Sequence, residues 1–184
     1  MRPGRLTVRI VTPAPRGSRA GNRVTALRWA RVLRELGHKA VIEDAYTGGV
    51  CDVLVALHAR KSYASVVRYR SERPDGPLVV ALTGTDLYRE LDTSSEAREA
   101  IALATRLVTL QPRGVDVLPE SLRARTRIIP QSARGLPRGP SPEDAFVVCV
   151  LGHLRPVKDP FRTCLLYTSP SPRDRTRSRM PSSA

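Results

Sequence analysis

The chain has 184 residues, of which 31 are basic and 17 acidic, and its formal charge is +14. This length suits one domain, or one domain and the beginning of another, and 41% hydrophobic residues are enough for an ordinary core. The three scattered cysteines form no CxxC pair and no histidine pair has metal-ligand spacing, which argues against a disulfide scaffold and predicts no metal site. The apolar stretch near the N-terminus is broken by Arg9 and Pro13, and no apolar run approaches the roughly 20 residues of a membrane span, so we expect a cytoplasmic protein.

The excess of positive charge comes almost entirely from arginine. Of the basic residues 28 are arginine, and lysine occurs only as Lys39, Lys61 and Lys158. This skew is more typical of a GC-rich coding sequence than of a phosphate-binding stripe. The aromatic residues are dispersed, and no nucleic-acid-binding motif is present. We therefore predict no nucleic-acid partner.

Strand and helix patterns alternate from residue 6 to residue 130. In chain order, the predicted elements are a strand at 6–12, a helix at 22–36 that Asn22 caps, strands at 39–43 and 51–57, a helix at 61–72, a strand at 78–83, a helix from Ser94 or Ser95 to about Thr105, a strand at 107–111, a mostly helical stretch at 112–125 and a strand at 127–130. Buried strands that alternate with helices predict an α/β fold with a Rossmann-like, doubly wound and mostly parallel sheet. The apolar residues expected to pack the first helix on the sheet are Val24, Leu27, Ala30 and Leu33.

The composition changes after residue 133, which predicts a domain boundary. Residues 1–133 form the predicted first domain, and residues 134–144 are a linker rich in proline and glycine. Residues 145–151 then form one more buried strand, which is unable to bury itself alone. We therefore expect residues 145–163 to begin a second α/β domain whose remainder is missing.

The last twenty-one residues, Cys164–Ala184, have no helical or strand period and carry five serines, three prolines and four arginines. Such a composition is typical of disorder. Cys164–Asp174 resembles the translation of a transposase adapter used in sequencing libraries, and Ser178–Ala184 resembles the flow-cell adapter that follows it. We expect residues 164–184 to be a non-native tail and the natural sequence to be interrupted near Thr163.

Ligands of open α/β sheets bind at the carboxyl ends of the strands, so the loops there hold the candidate residues. After the first strand, glycines and arginines precede a helix N-terminus, whose free N–H groups and dipole favour an anion. The alternative is an ordinary arginine-containing turn. The candidate anion-binding residues of this loop are Arg16, Gly21, Asn22 and Arg23.

Two further loops hold the candidate catalytic residues. His58 follows the third strand and is either a general base or phosphate donor, or a structural histidine. Asp86 holds a sugar hydroxyl or orients a catalytic group, unless it caps the next turn. The remaining candidates of these loops, predicted to bind the acceptor or an anion, are Arg60, Lys61, Gly84 and Thr85.

The strongest local pattern follows the strand at 145–151 and reads Gly-His-Leu-Arg-Pro-Val-Lys-Asp-Pro. Gly152, Arg155 and Lys158 are the predicted diphosphate-binding residues. Arg155 and Lys158 would supply charge-assisted hydrogen bonds of roughly 1.5–3 kcal/mol each when desolvated.

This segment resembles the Gly-Arg-Leu…Lys-Gly segment of the family 4 glycosyltransferases of the GT-B fold, with His153 where the family commonly has arginine. Residues 129–132 similarly take the place of the family's Ile-Pro-Asn-Gly, from which Gln131 and Ser132 depart. Four segments resemble, more closely, the bacterial selenosugar synthases of selenoneine biosynthesis and their relatives, over nearly all of residues 6–163. These segments are TPAPRGSRAGNRVTALRWARVLRELGH, LVALHARKS, VVALTGTDLYR and VCVLGHLRPVKDPFR.

The resemblance implies transfer of a sugar from a UDP-sugar to selenophosphate in a cleft between two domains. The N-terminal domain would hold the acceptor, and the C-terminal domain would grip the donor's diphosphate through Arg155 and Lys158. Such enzymes usually need no metal, and no cofactor besides the UDP-sugar co-substrate, because basic side chains and a helix N-terminus neutralise the leaving diphosphate. The family's two acidic donor-site residues would lie beyond residue 163, so we expect the chain as given to be inactive.

Two other interpretations stay open at this point. One is a family 4 transferase with a conventional sugar or lipid acceptor. The other is a non-enzymatic Rossmann-like module that binds a phosphorylated ligand or an acidic partner.

Overall fold

A computed structural model describes residues 4–133, 135, 137, 139–140, 159 and 161–162. The chain divides into two units, Met1–Arg134 and Gly135–Ala184. All helices and strands of the described residues belong to the first unit. In the second unit, the described residues include an exposed ion pair between Arg162 and Asp159.

The first unit is built on a six-stranded sheet in which every neighbouring pair is parallel. The strands are β1 (Thr7–Val11), β2 (Lys39–Glu43), β3 (Val53–Leu57), β4 (Leu78–Leu82), β5 (Arg106–Thr109) and β6 (Thr126–Ile128). Their order across the sheet is β2-β1-β3-β4-β5-β6. The predicted α/β class with a doubly wound parallel sheet is confirmed.

Four α-helices connect these strands, together with two shorter helical segments. They are α1 (Gly21–Glu35), α2 (Tyr63–Glu72), α3 (Ser95–Leu103) and α4 (Glu120–Arg123), a π-helical segment at Asp86–Glu90 and a 3₁₀ turn at Pro112–Gly114. Of the two serines predicted to open α3, Ser94 is the cap, because its side chain accepts a hydrogen bond from the Ala97 amide at 3.2 Å. The π-helical segment replaces the loop expected after the fourth strand.

The two faces of the sheet bury separate clusters of apolar side chains. One face packs Leu54, Val80 and Leu107 against Val66 of α2 and Ile101 of α3. The opposite face packs its own apolar side chains against α1, and those from the sheet include Val8, Ile10, Val55 and Val108. Strands covered on both faces explain the near-continuous apolar runs in the sequence.

The expected packing of α1 is wrong in two respects. Its N-cap is Ala20, which makes no side-chain capping bond, whereas Asn22 lies inside the first turn. The side chains against the sheet include Ala26 and Ala30, while Val24 is 42% exposed and Leu27 is 51% exposed. The other two predicted residues do pack on this face of the sheet: Ala30 is buried, and Leu33 is partly buried beside Trp29.

The connection between β2 and β3 contains no helix and is held by Arg9 and Tyr46. Arg9 lies in β1, pairs with Glu43 at 2.7 Å, and stacks its guanidinium 4.8 Å from the centre of the Tyr46 ring. Burial raises the pKa of Tyr46 to about 12, so its hydroxyl stays protonated and donates to Glu72 at 2.9 Å. This network holds residues 44–52 on the sheet.

Candidate functional site

The strand order creates one topological switch point, between β1 and β3. The chain moves from β1 outward to β2, and then returns past β1 to add β3, β4, β5 and β6 on the other side. In open parallel sheets, the crevice outside the carboxyl ends of the strands at such a point is the usual ligand site. The loops that follow β1, β3 and β4 meet at this edge, and they carry most of the predicted site residues.

Asp86 joins two of these loops. Its carboxylate is completely buried and accepts hydrogen bonds from the backbone amides of Ala59 at 3.0 Å, Thr83 at 2.9 Å and Gly84 at 2.8 Å. The loop after β3 is therefore tied to the loop after β4. The catalytic role predicted for Asp86 stays a prediction, and in the structure its oxygens are occupied by the backbone.

His58 is held in a strained conformation directly after β3. Its φ is +76°, which is uncommon for a residue with a side chain, and the residue is only 2% exposed. Its backbone amide still donates to the Ala81 carbonyl at 2.9 Å, whereas the Ser62 hydroxyl donates to the Leu57 carbonyl at 2.7 Å and closes the turn. The tight turn keeps the imidazole against the carboxyl edge of the sheet.

The surroundings of His58 favour the neutral imidazole. Burial lowers the pKa of His58 below its ordinary value, and it outweighs the opposing effects of the Asp86 and Glu90 carboxylates. The nearby cations Lys61 and Arg60 lower the pKa further. Nε2 of the ring lies 3.1 Å from Oγ1 of Thr85 in a partly buried contact, although Thr85 as a residue is exposed.

Glu90 is a member of the cluster that the sequence did not predict. It ends the π-helical segment, its side chain is 14% exposed, and its Oε1 accepts a hydrogen bond from Nη1 of Arg60 at 3.2 Å. Its Oε2 is buried, lies 3.8 Å from His58 Nε2, and has no hydrogen-bond partner among the described residues. The four-residue spacing from Asp86 was the signal available, because it places both carboxylates on one side of a helical turn.

A pocket of about 310 Å³ opens beside the N-terminus of α1. It is lined by Gly21, Asn22, Val24, Thr25, Arg28, Thr83, Leu110 and Gln131. Because the N-cap makes no side-chain bond, the first amides of the helix have no capping side chain. The pocket thus combines a helix N-terminus with the carboxyl ends of β4 and β5.

Gln131 closes one side of this pocket. Its Nε2 donates to Thr25 Oγ1 at 2.9 Å, and its Oε1 accepts from Arg28 Nη1 at 2.8 Å. The chain that follows β6 is therefore bonded to α1. Sequence reasoning noted Gln131 only as a departure from a family pattern, and nothing local indicated its partners.

The predicted residues fall into three groups. His58, Arg60, Lys61, Gly84, Thr85 and Asp86 lie on the two loops that Asp86 joins. Gly21 and Asn22 line the pocket, Arg16 is exposed outside its lining, and Arg23 is buried with Nη1 3.5 Å from Oδ1 of Asp44. Gly152, Arg155 and Lys158, like the tail at 164–184, lie outside the described residues.

The comparisons with known proteins add no relative. No protein-family model matches the chain, and no curated protein sequence matches it. Within the described ranges, no helix is long and apolar enough to cross a membrane. The same part of the chain contains no group of three or more histidine, cysteine, aspartate or glutamate residues arranged to hold a metal ion.

Proposed function

We propose that this chain belongs to a GT-B glycosyltransferase of family 4 and that its first unit binds an oxyanion acceptor. The acceptor implied by the sequence resemblance is selenophosphate, and the donor is a UDP-sugar. The observation that carries the proposal is the convergence of the loops after β1, β3 and β4 at the switch point of the sheet. These loops bring His58, Thr85 and the uncapped end of α1 to one edge.

The chemistry of this edge suits an anion. The N-terminus of a helix of this length carries a partial positive charge and amides without intrahelical partners, which stabilise a bound phosphate-like group. Lys61 follows His58 and is exposed, so it adds positive charge at the entrance, where Arg60 is paired with Glu90. A selenophosphate carries several negatively charged oxygens and would interact favourably with the N-terminus of α1 and with the basic side chains after His58.

In the proposed reaction, a selenium lone pair of the acceptor attacks the anomeric carbon of the sugar. The carbon–selenium bond forms while the bond from that carbon to the diphosphate oxygen breaks, and UDP leaves with the electron pair. Water then cleaves the phosphorus–selenium bond of this product, which releases inorganic phosphate and the selenosugar. Arg155 and Lys158 would stabilise the charge that develops on the diphosphate. The residues of the first unit would orient the acceptor, which converts a bimolecular encounter into a positioned reaction.

The test is a turnover assay with the complete protein encoded by the gene. Purified protein is incubated with UDP-N-acetylglucosamine, with and without selenophosphate, and UDP release and the selenosugar are measured. Selenophosphate-dependent product supports the proposal. Turnover only with an alcohol acceptor would identify a conventional family 4 transferase instead, and ligand binding without turnover would identify a binding module.

A further inference from the structure

The proton position on His58 follows from its hydrogen bonds. The backbone amide of Lys61 donates to Nδ1 of His58 at 3.3 Å. Because an amide N–H only donates, Nδ1 must present a lone pair in this arrangement. The neutral ring therefore carries its proton on Nε2.

This tautomer determines what the Thr85 hydroxyl does. The Nε2 proton points to Thr85 Oγ1 across 3.1 Å, so the Thr85 oxygen accepts that hydrogen bond. The hydroxyl's own proton must then point to another acceptor. Since Thr85 is exposed at the carboxyl edge, its hydroxyl offers a donor to a ligand there.

Glu90 competes for the same imidazole proton. Its buried Oε2 lacks a hydrogen-bond partner within the described part of the chain and lies 3.8 Å from Nε2, while Oε1 is already bonded to Arg60. A buried carboxylate oxygen without a partner is costly, so a small rotation of the ring toward Glu90 gains a charged hydrogen bond. An imidazolium favours this rotation, because its second proton on Nδ1 opposes the Lys61 amide.

We propose that Thr85 is an oxyanion-binding residue whose hydroxyl is held as a donor by neutral His58, and that Glu90 is a positioning residue whose Oε2 accepts a hydrogen bond from Nε2–H when His58 becomes charged. The ligand class is a tetrahedral oxyanion such as a phosphate or a phosphate analogue. This inference rests on the proposed function only where it identifies the bound oxyanion as the sugar acceptor. It changes the role of His58 from a base that contacts the substrate to a residue that acts through Thr85.

The first experiment reads the protonation state directly, without a ligand. The 184-residue chain is labelled with ¹⁵N-histidine, and the Nδ1 and Nε2 shifts of His58 are followed as a function of pH, with His58→Gln identifying its signals. We expect the Nε2–H tautomer at neutral pH. In Glu90→Gln we expect a lower His58 pKa, because the charge that favours the imidazolium is removed. A proton on Nδ1, or a His58 pKa that Glu90→Gln leaves unchanged, overturns the proposal.

The second experiment tests whether the Thr85 hydroxyl donates a hydrogen bond to a bound oxyanion. Inorganic phosphate is titrated into the wild-type chain, Thr85→Val, Thr85→Ser and the control Ser71→Ala, which removes an exposed hydroxyl near the C-terminal end of α2. We expect Thr85→Val to bind phosphate about tenfold more weakly, whereas Thr85→Ser and the control stay close to the wild type. Equal affinity of Thr85→Val and the wild type, or no phosphate binding by the wild type, overturns the oxyanion assignment.

These outcomes separate the inference from the proposed function. Phosphate binding through Thr85 without sugar transfer by the complete protein would overturn the proposed function alone. Sugar transfer to selenophosphate with an unchanged phosphate affinity in Thr85→Val would overturn the inference alone.

Discussion

Replacing Asp86 with alanine tests whether this carboxylate is the clamp that joins the loops after β3 and β4. The substitution leaves three backbone amides, those of Ala59, Thr83 and Gly84, without their acceptor in a fully buried position. Hydrogen bonds to a charged group contribute roughly 1.5–3 kcal/mol each, and partial rehydration reduces the sum, so we expect a loss of about 4 kcal/mol. At a typical urea m-value of about 2 kcal/mol/M, the unfolding midpoint falls by about 2 M.

The assay is urea unfolding followed by the fluorescence of Trp29, the one tryptophan of the chain, which lies in the first unit. Asp86→Asn gives an intermediate loss of about 2 kcal/mol, because its amide nitrogen would face the Ala59 N–H and place donor against donor. The control is Asp75→Ala in the exposed turn before β4, which we expect to change stability by less than about 0.5 kcal/mol. A loss below about 1 kcal/mol in Asp86→Ala would refute the clamp.

Three further predictions concern the pH dependence of stability, the contact of Gln131 with α1, and the two basic residues proposed to bind the UDP-sugar. Burial lowers the folded-state pKa of His58, so on acidification the unfolded chain binds a proton before the folded chain does, and the free energy of unfolding should fall as the pH drops below about 6.5. Urea unfolding at pH 7.5 and 5.5 measures this fall, which should be smaller in His58→Gln than in the wild type. An identical fall in the two proteins would contradict the buried neutral ring. Gln131→Ala removes two side-chain bonds to α1 and should lower the free energy of unfolding by about 1 kcal/mol, whereas no change would show that the chain after β6 holds α1 by other contacts. In the complete protein, Arg155→Ala and Lys158→Ala should raise the KM for the UDP-sugar at least tenfold with unchanged Trp29-detected unfolding, and unchanged kinetics would argue against their donor role.

The uncapped end of α1 links stability to the proposed ligand site. A helix start with a serine, threonine or aspartate cap is more stable by about 1 kcal/mol than one without. In this chain Ala20 occupies the N-cap position, and Gly21 and Asn22 line the adjacent pocket. An anion bound there would supply the missing acceptor, so phosphate is expected to raise the thermal midpoint of the first unit.

The fold class followed from local pattern. Strands of three to five residues, rich in apolar and β-branched side chains, alternate with amphipathic stretches, and this alternation depends only on neighbours along the chain. The bounds of β2 at Lys39–Glu43 were therefore predicted correctly, and the cap of α3 was narrowed to Ser94 or Ser95. The π-helical segment at Asp86–Glu90 was missed, because its start depends on a carboxylate bonded to the amide of Ala59 on another loop.

The packing face of α1 shows why helix periodicity alone was insufficient. Of the four residues in the predicted apolar stripe, Ala30 and Leu33 pack against the sheet, whereas Val24 and Leu27 are exposed and Ala26 is buried there instead. The distance between helix and sheet decides which residues fit, and it is set by strands that are distant in sequence. The buried Arg23 forms an ion pair with Asp44, which directly follows β2.

By itself, the sequence determined the α/β class, the number of strands in the first unit and the loops that face the carboxyl edge, because these properties depend on short-range pattern and chain direction. The tertiary structure alone decided the strand order, the contact of Gln131 with Thr25 across 106 residues, and the meeting of His58, Thr85 and Glu90. The position of the proton on His58 is the clearest example of a property that the tertiary structure decided. Its position depends on one backbone donor, one hydroxyl and one buried carboxylate brought together only when the parallel strands align.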